Sequence, residues 1–122
     1  MITTVVNLKQ LSSNWILDNT YVYIGRIGKG FHGYFGNPIE RGKPCMICGK
    51  THREAGDTLP CFQILFNKRI QNDSEFKNKI LELKGKKLVC FCRPVHGFKG
   101  KLCCHGQIYA AYCDNVDPIN IN

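Results

Sequence analysis

Eight cysteines in a chain of 122 residues are the feature that any fold must first accommodate. They are grouped. Cys45, Cys48 and Cys61 lie with His52, while Cys90, Cys92, Cys103 and Cys104 lie with His105, and Cys113 stands apart. A disulfide framework would go with secretion. The opening MITTVVNLKQ lacks the charged-then-apolar layout of a signal peptide, and no stretch reaches the roughly 18 consecutive apolar residues of a membrane span. The expectation is a cytoplasmic protein with no membrane segment, whose thiols ligate metal or pack in the core.

Cys45-Met46-Ile47-Cys48-Gly49 has the two-residue spacing by which a tight turn presents two thiolates to one ion, with glycine where the turn needs an unusual backbone angle. His52 and Cys61 follow at distances that permit a tetrahedral Cys₃His site, and zinc is the expected cofactor. The alternative is an irregular loop with incidental thiols. A thioredoxin-like role is disfavoured because no strand precedes the CxxC pair and no helix begins at it. The second group offers Cys90, Cys92, Cys104 and His105: a strand points Cys90 and Cys92 to one face, and the following loop can return Cys104 and His105 over that edge. These four can form a second metal site, complete the first one, or include core packing. Packing is the expected fate of Cys113. Because a helix is expected to begin near Cys104, this cysteine and His105 are also the candidate catalytic pair.

The rest of the chain supplies a frame for these groups. Thr3 to Leu8, Tyr21 to Ile24 and Lys86 to Cys92 are rich in strand formers. Between the first two, Trp15, Ile16 and Leu17 are expected to pack inward. Phe62, Leu65, Phe66 and Ile70 fall at helical spacing over Leu59 to Ile70, and a second helix begins at Asp73 or Ser74, buries Phe76, Ile80 and Leu83, and ends at Gly85. A last helix is predicted over Cys104 to Cys113. Residues 38–61 read as a Cys-rich, zinc-knuckle-like insertion and 114–122 as a loose tail. The 43% hydrophobic content supports one core, so the chain is read as a single α/β domain of residues 1–122, with a small, mainly parallel sheet flanked by helices.

Gly28-Lys29-Gly30-Phe31-His32-Gly33 is a literal GxGxxG after a strand, but no helix can follow it directly, so the dinucleotide fingerprint is incomplete. A loop at a strand's carboxyl end with Arg26, Lys29 and His32 can nevertheless offer amides and cations to a phosphate. The formal charge of +8, from 17 basic against 9 acidic residues, points toward the same anionic partners.

Four pieces taken together, Val5-Val6-Asn7, Tyr23-Ile24-Gly25-Arg26 with Gly36-Asn37-Pro38, Leu83 to Leu88 leading to Cys90-Phe91-Cys92, and Cys104-His105-Gly106, resemble the domain-of-unknown-function-4326 family of short bacterial and phage proteins. The family pattern of C-x-C-x-P followed by C-H-G is matched by Cys90, Cys92, Pro94, Cys104, His105 and Gly106, with Cys103 or Cys104 at the family position. The resemblance implies a compact α/β fold and a cleft lined by Arg26, Asn37 and the Cys-His pair. It implies no activity, and for a phage protein it implies a host cytoplasm.

Three classes of function follow. The leading one is a zinc-binding α/β module that takes a nucleotide or nucleic acid, with Arg26, Lys29, Asn37 and His105 as contacts. An enzyme acting on a nucleotide or nucleobase bond through the Cys/His pair or zinc is the second, although His52-Arg53-Glu54 lacks the PCxxC partner of a zinc deaminase. A phage-encoded factor binding a host protein is the third.

Overall fold

A computed structural model of the chain describes residues 2–28, 30–54, 56–94 and 96–121. Strands β1 (Thr4–Asn7), β2 (Tyr21–Tyr23) and β3 (Lys87–Cys90) form one parallel sheet in the order β1-β3-β2. Among the described residues, three helices, α1 (Leu59–Asn72), α2 (Ser74–Leu81) and α3 (His105–Asp114), complete the expected α/β fold. Leu88 of β3 stands in register with Val5 on one side and Val22 on the other. A central strand of a parallel sheet is covered on both faces, which is why Leu88-Val89-Cys90 is a continuous apolar run rather than an alternating one.

Helix α3 is buried from His105 through Ala111 because it touches β1, β3, α1 and α2, leaving almost no face for water. Gly106 permits this approach. A Cβ there would lie 2.7 Å from Ile24 Cδ1 and 3.1 Å from Val5 Cγ2. Tyr109 then meets Phe62 and Phe66 of α1 at centroid distances of 5.7 and 5.6 Å, and its hydroxyl donates to the Phe35 carbonyl at 2.7 Å. Helix α2 starts where a side-chain cap is available: the Asp73 carboxylate accepts from the Phe76 amide at 3.0 Å. It stops at Leu81, and turn residues carry the chain on to Gly85.

Two expectations need correcting. Of the apolar residues between β1 and β2, Trp15 turns in, stacking on Phe31 at 5.8 Å, but Ile16 and Leu17 are 63% and 84% exposed. A short 3₁₀ turn over Trp15–Leu17 cannot direct three successive side chains to one face. The tail is docked over residues 115–121 rather than loose. Asn115 closes α3 in the left-handed conformation at φ 56°, Pro118–Asn120 forms a 3₁₀ turn, and Ile121 is buried. The Asp114 carboxylate accepts from both the amide and the hydroxyl of Thr3 at 2.8 Å, tying the end of α3 to the residue that leads into the first strand. No helix among the described residues is long and apolar enough to cross a membrane.

Candidate functional site

Between Pro38 and Thr58 no helix or strand forms among the described residues, and an isolated bridge of Pro44 with Thr51 closes a small hairpin. Its turn holds Cys45 and Cys48, and Gly49 adopts φ 78°, the left-handed conformation expected of a glycine there. Ligand atoms of Cys45, Cys48, His52 and Cys61 all lie within 4.8 Å of one another, so this group could hold a metal ion. Cys61 comes from the first turn of α1, and Cys48 Sγ is 3.5 Å from His52 Nε2. The amides of Cys48 and Ile47 point toward the Cys45 sulfur, the latter at 3.4 Å, and bring its thiol down to about 6. Burial pushes the Cys61 thiol up to about 11, with Cys48 and Cys45 adding to the effect. A thiol so raised ionises most readily opposite a cation.

The second group is built on regular structure. Cys90 ends β3, and Cys104 is the N-cap of α3. Cys90, Cys92 and Cys104 form a separate cluster that could hold a metal ion, so these residues do not complete the first group. Cys92 and Cys104 are joined through their sulfurs, and Cys90 Sγ lies 3.1 Å from Cys104 Sγ and 3.5 Å from Cys92 Sγ. The spacing of these cysteines pointed to ligated or packed thiols and did not announce that bond. It arises because the loop after β3 returns the chain to a Cα separation of 5.4 Å, within disulfide range. Cys103 stays outside the cluster, its sulfur directed to the Lys101 carbonyl, so Cys104 takes the position beside Cys90 and Cys92.

His105 is buried against Phe62 and Tyr109, with Nε2 2.6 Å from the Ile24 carbonyl and Nδ1 4.0 Å from the sulfurs of both Cys92 and Cys104. Burial holds its imidazolium form down, favouring the neutral ring. The start of α3 is closed to an anion: the Cys104 sulfur accepts from the Gly106 amide at 3.3 Å, and Gln107 Oε1 accepts from the Cys103 and Cys104 amides. Cys104 is fully buried, and its sulfur is already engaged. As a nucleophile it has no exposed face.

A cleft of about 860 Å³ opens beyond the carboxyl ends of β2 and β3. Arg26, Asn37, His105, Cys90 and Cys92 line it, as do Arg41, Tyr23 and Phe31, which the sequence reading did not single out. Tyr23 and Phe31 stack at 4.0 Å, so the glycine loop folds back over β2. The alternation of β2 places Tyr23 opposite the core-packed Val22, a signal available in the sequence. Nothing local in the sequence indicated Arg41. Arg26 donates to the Ile39 carbonyl at 3.0 Å and stands 3.9 Å from Glu40. Asn37 is engaged within the fold, donating to Thr58 Oγ1 and accepting from the Ile39 amide. Two of the loop's amides are also used internally, those of Gly28 and Phe31, which donate to each other's carbonyls. Lys29, an expected anion contact, lies outside the described residues.

The model of the family described as "Domain of unknown function (DUF4326)" matches residues 6–115, and the chain belongs to that family. No curated protein and no solved structure matches it.

Proposed function

Starting from membership of a family that carries no assigned activity, we propose that this protein is a zinc-stabilised α/β module that binds a phosphate-bearing ligand, a nucleotide or nucleic acid. The observation that carries the proposal is the cleft: it lies at the carboxyl ends of parallel strands, where ligands of open α/β sheets gather, and it brings Arg26 and Arg41 together with the Tyr23 and Phe31 rings. Guanidinium groups match phosphate oxygens, and aromatic side chains suit a base. The chain's formal charge of +8 supports an anionic ligand. Zinc would be held by Cys45, Cys48, His52 and Cys61, a mixed thiolate and imidazole set that suits this ion. Its role is to staple a segment with little regular structure.

Calorimetric titration of the metal-loaded protein with ATP, inorganic phosphate and a short single-stranded DNA tests the reading. Binding of at least one of these is expected, with an Arg26→Gln, Arg41→Gln double variant weakening it at least about tenfold, since hydrogen bonds to charged groups contribute ~1.5–3 kcal/mol. No heat with any of the three, or equal affinity in the variant, overturns it.

A further inference from the structure

Cys90, Cys92 and Cys104 do more than fill the core beside the cleft. Cys90 and Cys104 are almost completely buried, yet each has another sulfur as its nearest polar neighbour, and Cys92, at the exposed end of the cluster, lines the cleft with Cys90. Backbone and ring groups around them are arranged as metal sites arrange theirs. The Gly106 amide donates to the Cys104 sulfur, and amide donation of this kind favours the thiolate. The Ile24 carbonyl can only accept, so His105 Nε2 must carry the proton and Nδ1 keeps its lone pair on the side of the sulfurs.

We propose that Cys90, Cys92 and Cys104, with His105 Nδ1 as fourth donor, form a second divalent-metal site at the floor of the cleft, distinct from the knuckle. Zinc suits a buried three-thiolate, one-imidazole set. The 4.0 Å between Nδ1 and two of the sulfurs is close to the donor spacing of about 3.6 Å in a tetrahedral zinc site. The sulfurs must spread, and the Cys92–Cys104 bond must first be reduced. With a phosphine reductant and one water, that step yields two thiols and a phosphine oxide. Each thiol then releases its proton as it binds the ion. The site does not depend on what the cleft takes as ligand.

The test counts zinc per chain in the full-length protein, once after phosphine reduction and zinc loading and once with the Cys92–Cys104 bond intact. Reduced protein is expected to hold one ion more than oxidised protein. Reduced Cys92→Ser, whose altered side chain is exposed, is expected to lose that one ion while its circular dichroism and thermal midpoint stay close to those of the parent. Cobalt substituted into a reduced Cys45→Ser, Cys48→Ser variant should still give thiolate-to-cobalt absorption. Equal counts in the reduced and oxidised forms overturn the proposal. So does a folded Cys92→Ser protein that keeps every ion. The oxidised and reduced comparison needs no variant, so a misfolded mutant does not leave the question open.

Discussion

Cys45, Cys48 and His52 sit in a hairpin that has no helix or strand, whereas Cys90 and Cys104 are held by the central strand and by the cap of the most buried helix. In the first group three donors are close in sequence and only Cys61 is supplied from a helix. In the second, the donors meet because β3 and α3 are packed against each other. The contrast separates two uses of thiols. A turn with no helix or strand of its own would rely on a bound ion for order, while a cluster mounted on packed elements is positioned before any ion arrives.

The largest effect should come from stripping metal with a chelator. Amides of 40–54 are expected to lose hydrogen-exchange protection while those of Leu88–Cys90 and Ile108–Ala111 keep theirs, because structural zinc contributes roughly 10–16 kcal/mol in small zinc-finger peptides. Loss of protection in strand and helix together would break the comparison. Next in size is Phe62→Ala. This ring follows Cys61 and meets His105 edge-on at 5.6 Å, so it joins the two regions. Denaturant unfolding should show a loss of ~3–5 kcal/mol, with zinc still bound at the knuckle.

A smaller effect is expected on the sheet side alone. Gly106→Ala puts a methyl group against Ile24 and Val5 and should cost ~1–3 kcal/mol in the same experiment, leaving exchange in the hairpin unchanged. The smallest concerns reactivity rather than stability. Burial pushes the Cys113 thiol up to about 11, and its sulfur donates to the Ile80 carbonyl at 3.0 Å. Iodoacetamide near neutral pH should modify Cys103 in the folded protein and spare Cys113, and mass spectrometry of the digest would show it. Because the thiolate is the reactive form, the protection should weaken as pH rises toward that value. Rapid labelling of Cys113 at neutral pH would mean that the α3 side opens as readily as the hairpin.

Much of the frame was legible because it rests on local signals. Phe62 and Phe66 at helical spacing, Asp73 as a cap and the apolar run Leu88 to Cys90 each appear in the structure as the element they announce. The CxxC turn was legible for the same reason, since two donors and a glycine within one turn need no distant partner. Ile16 and Leu17 were misread because apolar character alone does not say which way a 3₁₀ turn points its side chains.

What the sequence determined by itself was therefore the main strands and helices, the parallel α/β class and the Cys-rich turn, all of which follow from short-range periodicity, capping and spacing. Only the tertiary structure decided that Cys104 rather than Cys103 joins Cys90 and Cys92, that the start of α3 is closed to anions, that Arg41 shares a cleft with Arg26, and that the tail is docked. The physical reason is the same in each case. These outcomes depend on how closely α3 can approach the sheet and on where the loops return, and both are set by side chains far apart in the chain, such as Gly106 against Val5 and Asp114 against Thr3.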